Sequence, residues 1–212
     1  MSVQPPVTDG APARAVAPVP GGIGAWAKRG FDLLVAVVLL VLTSPLTLLI
    51  ALAIRLDSPG PALFRQRRVG RSSREFVIYK FRTMHDGTPD LASHLMAGQS
   101  DRRITRLGGL LRRSSFDELP QLLNIVRGDM SLVGPRPALH NQHDLIAMRQ
   151  RAGVDALRPG VTGWAQINGR DEIPMELKVA HDRWYLEHHG LATDLIILFR
   201  TPFALLSARG VN

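Results

Sequence analysis

The apolar positions of this chain fall into one long unbroken run and several short periodic ones. Leu33 to Ile54 reads LLVAVVLLVLTSPLTLLIALAI, without a charge. Such a run predicts about 33 Å of helix at about 1.5 Å per residue, enough to cross a hydrocarbon core of about 30 Å. Two features argue against a plain crossing. Ser44-Pro45 stands at the midpoint, where proline removes a helical hydrogen bond and clashes with the preceding turn. Lys28 and Arg29 precede the run and Arg55 follows it, and such cations favour the cytoplasmic side of a membrane. A bent, re-entrant helix over residues 25–57, broken at Ser44-Pro45 and entering and leaving on the cytoplasmic face, satisfies both features. The competing reading is a straight span with a mild proline kink. Ala51-Leu52-Ala53 resembles a cleavage site, but the run is too long, and too broken by proline, for a signal peptide.

The remaining pattern is shorter in period. Asp57-Ser58-Pro59-Gly60-Pro61 is a turn. Leu63–Gln66 and Phe76–Phe81 flank Gly70-Arg71-Ser72-Ser73 and predict a β-hairpin with arginine-rich edges. From Ile104, Leu107, Leu110 and Leu111 recur at helical spacing. Helices are also predicted over 117–126 (ending at Gly128), over 138–151, and over 174–189 with a proline start and a stop at Gly190. Residues 160–169 read as irregular. A final apolar helix over 194–207 suits either a membrane interface, apolar face down, or ordinary core packing. No internal repeat is visible. The fold class is therefore α+β, mainly α, with a re-entrant membrane helix, a small β-hairpin, and surface and interfacial amphipathic helices.

Composition changes the picture at two points. Residues 1–24 are rich in proline, alanine and glycine and bury too little apolar surface to offset ordering entropy, so they read as a disordered tail. Gly22-Ile23-Gly24 has no strand before it, which excludes a phosphate-binding glycine turn. The chain holds 26 Lys+Arg against 18 Asp+Glu, a formal charge of +8. The only lysines are Lys28, Lys80 and Lys178. Arginine forks onto phosphate oxygens, so acidic lipid, nucleotide phosphates and nucleic acid are the candidate partners; a merely solvated arginine-rich surface is the bland alternative. With no cysteine there is no disulfide framework, thiolate zinc site or cysteine nucleophile.

The densest polar constellation is Arg112-Arg113-Ser114-Ser115-Phe116-Asp117-Glu118-Leu119-Pro120-Gln121. Ser115 and Glu118 have capping-box spacing, and Pro120 is comfortable only in a first helical turn, which predicts Asp117 at or near a helix N-cap. Free N–H groups there favour anions. Adjacent carboxylates beside arginine suit Mg²⁺ and a phosphoryl group, and a carboxylate can also act as a nucleophile. Ordinary helix capping explains the same residues without chemistry. Arg136 lies between Pro135 and Pro137, which spends backbone rigidity on placing one guanidinium, a useful phosphate clamp or simply a stiff loop. In Arg158–Arg170, glycines permit close backbone approach and Trp164, Gln166 and Asn168 offer a ring and two amides. His140, His143, His188 and His189 lack partners for a zinc set and read as surface histidines. No P-loop sequence and no aromatic–basic stacking platform is present.

In order, the motifs are a Lys-Arg-flanked apolar helix with Ser-Pro inside, FRQRRVG, YKFRTM, RITRLGGLLRRSSFDELPQLLNIVRGDMSLVGPRP, RPGVTGWAQINGR and a final apolar helix. The chain resembles the bacterial sugar transferases, monotopic phosphoglycosyl transferases of exopolysaccharide and glycoconjugate synthesis, over about Lys28 to Gly210. The resemblance implies transfer of a phosphosugar from a UDP-sugar to polyprenyl (undecaprenyl) phosphate, at the cytoplasmic face of the bacterial inner membrane. It implies Asp117 as nucleophile of a covalent phosphosugar intermediate, with UMP released, and Glu118 as its partner and Mg²⁺ ligand. Lys80, Arg112 and Arg136 fall where the family places cations around the diphosphate, and Ser44-Pro45 matches the break of the membrane helix. Residues 58–212 would be the catalytic domain, and the short tail matches the minimal catalytic form. The expected partners are thus UDP-sugar, polyprenyl phosphate and membrane lipids, not nucleic acid; the sequence leaves open whether a homo-oligomer forms. Two other classes compete: a non-catalytic basic scaffold tethered to a polysaccharide assembly complex, which has no need of Asp117 and Glu118, and a membrane-anchored nucleic-acid binder, whose affinity would fall steeply with salt.

Overall fold

A computed structural model describes residues 23–88, 103–169 and 173–207; nearly all of the proline-rich tail and Arg170 lie outside them. The apolar run becomes one continuous helix, α1 (Ile23–Asp57), 35 residues long with Pro45 inside. That is about 52 Å of helix, and it begins two residues before the expected boundary. Proline at position 45 removes the N–H that would reach the carbonyl of Val41. The Ser44 hydroxyl donates to that oxygen at 2.8 Å, and the Thr43 and Thr47 hydroxyls donate to Leu39 and Ser44 carbonyls at 2.7 and 2.9 Å. The expected break at Ser44-Pro45 does not interrupt the helix, and hydroxyls around Pro45 bond the neighbouring carbonyls.

Both ends of α1 dock on the same body. At the N-terminal end Lys28 pairs with Asp194 at 2.5 Å, and the Arg29 guanidinium donates to the Ile125 carbonyl at 2.7 Å. The buried Asp32 carboxylate accepts from the Ser131 hydroxyl at 2.8 Å and the Leu132 N–H at 3.3 Å. At the C-terminal end Ile50 and Ile54 are buried with Phe81 and Leu111. There the Arg82 guanidinium donates to the Ser58 and Pro59 carbonyls at 2.7 and 2.6 Å. Between Ala36 and Ile50 the helix presents Leu42 and Leu48, 71% and 72% exposed, among other bare apolar side chains.

The hairpin is β1 (Leu63–Val69) and β2 (Glu75–Phe81), paired antiparallel with Gln66 opposite Ile78. Its turn places Ser72 and Ser73 in the left-handed region. The next helix, α2 (Arg106–Ser114), is capped by the Thr105 side chain, which accepts from the Gly108 N–H. A Cβ on Gly108 would stand 2.1 Å from the Thr83 carbonyl, so only glycine lets α2 cross the chain after β2 this closely. A single 3₁₀ turn, Phe116–Glu118, leads into α3 (Gln121–Arg127).

Two sequence expectations change beyond this point. Residues 138–151 do not form one helix. Ala138–Leu139 is a short strand, β4, which pairs with Arg68 and Val69 of β1, and the helix α4 covers only His143–Arg151. The open edge of β1 takes the two residues that follow Pro137. Nor are residues 160–169 irregular. Gly160–Thr162 is strand β5, parallel to β3 (Ser131–Val133), and Trp164–Asn168 is a short helix, α5. A Cβ at Gly134 would fall 2.3 Å from the Arg158 carbonyl, so the two segments meet backbone to backbone. Two strands of three residues carry too little alternation to register in the sequence. The chain ends with α6 (Met175–His188) and α7 (Leu191–Ser207). The largest core cluster joins Ala36 of α1 to Ile125, Met130, Val133, Tyr185 and Ile197, while α7 leaves Leu195, Ile196, Phe199 and Phe203 exposed.

Candidate active site

Asp117 and Glu118 do not cap a long helix as their spacing suggested. They occupy the one-turn 3₁₀ segment between α2 and α3, and Pro120, not Asp117, is the N-cap of α3. Ser115 takes a left-handed backbone (φ 60°) and makes no side-chain cap, so the capping box does not form. That kink ends α2 and turns both carboxylates toward a cavity of about 720 Å³. Lys80, Arg112, Arg136, Asp117 and Glu118 all line it: the five polar residues singled out in the sequence share one site, although they come from β2, α2, the 3₁₀ turn and the loop after β3.

The contacts within the cluster are short. Lys80 Nζ lies 2.6 Å from Glu118 Oε1 and 4.0 Å from Asp117 Oδ2. Arg136 Nη1 lies 3.5 Å from Glu118 Oε1. Arg112 is aimed by its Nε, which donates to the Thr83 hydroxyl at 2.8 Å. Asp117 and Glu118 are 13% and 18% exposed, whereas Arg136 is 38% exposed.

These surroundings separate the two carboxyl groups. Burial pushes the Glu118 carboxyl up, but Lys80, Arg136 and hydrogen bonds from Lys80 and Gln121 outweigh it and bring it down to about 2. Burial pushes the Asp117 carboxyl above its ordinary range, Glu118 adds to that, and Lys80, Arg112 and Arg136 only partly oppose it. Burial also lowers Arg112, with the Asp117 charge acting the other way. Glu118 is therefore the settled anion of the pair, already partnered. Asp117 is the more basic oxygen, poorly stabilised and facing the cavity.

Sequence reasoning missed Thr83 and Gln121. Gln121 lies one helical turn past Glu118 in the DELPQ segment, and Thr83 lies in YKFRTM beside Lys80; spacing i, i+3 was the available signal for the first. Of the Arg158–Arg170 motif, Val161, Thr162, Gln166 and Ile167 line the cavity, and neither end of the buried Gln166 carboxamide has a partner there. Trp164 instead stacks on Trp184, with ring centres 4.0 Å apart, and the Asn168 amide donates to the Trp164 carbonyl. The same cavity is also lined by Leu39 of α1 and by Leu198, Pro202 and Leu205 of α7, so the charged cluster shares it with the two most apolar helices.

No group of three His, Asp or Glu side chains gathers among the described residues. For Mg²⁺ the donor chemistry still fits in one way. Two adjacent carboxylates face the cavity, and this ion is commonly held by one or two carboxylates with the rest of its shell from phosphate oxygens and water.

Comparison with known proteins identifies the family. The family model for bacterial sugar transferases matches residues 23–208, and the chain belongs to that family. It is 46% identical over 190 residues to a UDP-glucose:undecaprenyl-phosphate glucose-1-phosphate transferase of Caulobacter vibrioides, covering 85% of this chain and 70% of that protein. It is 41% identical over 204 residues to the exopolysaccharide production protein ExoY of Rhizobium meliloti, covering 89% of each. A UDP-N-acetylgalactosamine-undecaprenyl-phosphate N-acetylgalactosaminephosphotransferase of Aeromonas hydrophila is 38% identical over 210 residues. That match takes in 92% of this chain but only 47% of the relative, so the chain spans about half the length of that protein.

Proposed function

We propose that this protein transfers a phosphosugar from a UDP-sugar to undecaprenyl phosphate through a covalent intermediate on Asp117. The observation that carries the reading is the pairing of a charge-neutralised Glu118 with a destabilised, cavity-facing Asp117 among three cations. An Asp117 oxygen attacks the sugar-bearing phosphorus, the bond from that phosphorus to the bridging oxygen breaks, and UMP leaves with the electron pair. A phosphate oxygen of the lipid acceptor then attacks the same phosphorus and displaces Asp117, giving the diphosphate-linked sugar. Lys80, Arg112 and Arg136 offset the negative charge that otherwise keeps a carboxylate away from a diphosphate. Glu118 would hold Mg²⁺ together with substrate phosphate oxygens, and the ion would supply further charge neutralisation. The apolar wall from α1 and α7 suits an isoprenoid acceptor.

Purified protein in detergent, given Mg²⁺, polyprenyl phosphate and a panel of UDP-sugars, should release UMP with at least one of them. Arg136→Ala should lower that turnover by about tenfold or more with little change in melting temperature. Turnover with no sugar in the panel, or an Arg136→Ala protein that unfolds, would count against this reading.

The same proposal places α1 in the cytoplasmic leaflet as a re-entrant helix. Asp32 binds Ser131 and Leu132, and Ser58 binds Arg82. Those partners belong to one body, whereas a straight span would put the two contacts on opposite sides of the bilayer. Single cysteines near Gly24 and Ser58 should both react only with a cytoplasmic reagent. Pro45→Leu should shift α1 toward a straight span, because an unbroken apolar run of this length crosses. Wild-type labelling from opposite sides would sink the topology.

A further inference from the structure

We infer that Arg149, held by Asp182, is a positioning residue that aims Arg136 into the site; this rests on the reading of Arg136 as a substrate-phosphate contact. The two partners lie outside the cavity, on α4 and α6. Their side chains are 9% and 2% exposed, and Nη2 of Arg149 lies 2.7 Å from Oδ2 of Asp182. The Nε of Arg149 donates to the same oxygen at 3.0 Å. Its remaining arm, Nη1, donates to the backbone carbonyl of Arg136 at 2.7 Å.

The loop it grips has no hydrogen-bonding N–H on either side of Arg136, because positions 135 and 137 are proline. Its carbonyls must be fixed from outside, and all three are. Pro135 O accepts from the Gly160 N–H at 2.9 Å, Arg136 O from Arg149, and Pro137 O from Arg68 Nη1 at 3.0 Å. The Pro135 and Arg136 carbonyls lie in the two peptide planes that flank the Arg136 Cα; Arg149 fixes the second of these planes, and with it the direction in which the Arg136 side chain leaves the loop. A buried ion pair is weak support for stability, since well-packed apolar residues of like volume often replace it without loss. What apolar residues cannot replace is the donor to Arg136 O. The arrangement therefore spends a buried charge pair on orientation, and its benefit appears where Arg136 meets substrate.

The test is a cycle of variants in the full-length protein, using whichever UDP-sugar of the panel supports turnover. The replacement pair Arg149→Met with Asp182→Leu removes both charges together and keeps an apolar side chain of similar branching at each position. Arg149→Lys keeps a cation for Asp182 but cannot fork onto both partners. Each is measured for kcat, for KM of the UDP-sugar and for melting temperature, with Arg136 intact and with Arg136→Ala. With Arg136 intact, kcat/KM should fall about tenfold or more while the melting temperature of Arg149→Lys stays near wild type. In the Arg136→Ala background the same changes should cost less than about threefold, because the group they position is gone. Equal losses in both backgrounds, or no loss with Arg136 intact, would overturn the positioning role and leave the phosphate contact standing. An Arg136→Ala protein with normal kcat/KM would overturn the phosphate contact itself, and the positioning role with it.

Discussion

Asp117→Asn should give a folded protein that turns over about a thousandfold more slowly, or worse. Folding should survive for a specific reason. Burial already disfavours the Asp117 charge, and the nearest cation, Lys80, is 4.0 Å from it but 2.6 Å from Glu118. Replacing the carboxylate with an amide of the same shape removes a poorly stabilised charge and leaves the Lys80–Glu118 pair intact. Turnover should not survive, because an amide oxygen is a weak nucleophile toward phosphorus. The direct measurement is a trapping experiment with UDP-sugar radiolabelled in the sugar and no lipid acceptor. Wild-type protein should release UMP and retain label on the peptide containing Asp117, and the variant should do neither. A covalent step also predicts ping-pong kinetics. Label on another residue, near-normal turnover of Asp117→Asn, or UMP that appears only when both substrates are bound would each refute it. Direct transfer within a ternary complex would then be the better account, with a carboxylate as base on the lipid phosphate.

How legible the molecule was from its sequence depended on the kind of signal. The long apolar helix, the hairpin and the Arg112–Gln121 stretch were visible because each is written in a contiguous segment: an apolar run with a proline, two strands around Gly70, and a carboxylate pair beside arginine with plain chemistry. What failed was local geometry set by distant backbone. Ser115 enters the left-handed region and breaks the expected capping box, and no rule of spacing predicts a non-glycine residue there. The β3–β5 pair forms because Gly134 and Gly160 let two chain segments touch, a contact between residues far apart in sequence. The strand at Ala138–Leu139 exists because β1 offers an edge, which a one-dimensional pattern does not contain. Conversely, Arg136 was picked out by its flanking prolines and Lys80 only by family resemblance; their meeting at Glu118 is a property of the fold.

Asn124→Ala should be among the most destabilising single changes outside the core, at about 2–4 kcal/mol. Asn124 is fully buried on α3. Its Oδ1 accepts from the Tyr79 N–H at 3.1 Å, and its Nδ2 donates to the Val77 carbonyl at 2.7 Å. β2 is an edge strand, since the sheet order is β2-β1-β4. The carboxamide thus acts as a one-residue strand that pairs the open edge of β2 through an N–H and a C=O two residues apart. Alanine leaves both backbone groups without that partner and opens a gap beside Ile125. For a chain of this size, the loss corresponds to a fall in melting temperature on the order of 5–15 °C. The function should suffer as well, in a manner that distinguishes this role from packing. Lys80 is the residue after Tyr79, and Glu118 lies just ahead of α3, so Asn124 ties together the two elements whose side chains meet at 2.6 Å. At a temperature where the variant is still folded, its kcat should fall along with its stability. Ile125→Val, a neighbouring core change of smaller cost, should lower stability and spare kcat. If Asn124→Ala loses stability alone, the amide is only a clasp for the strand edge and the Lys80–Glu118 register is kept by other contacts.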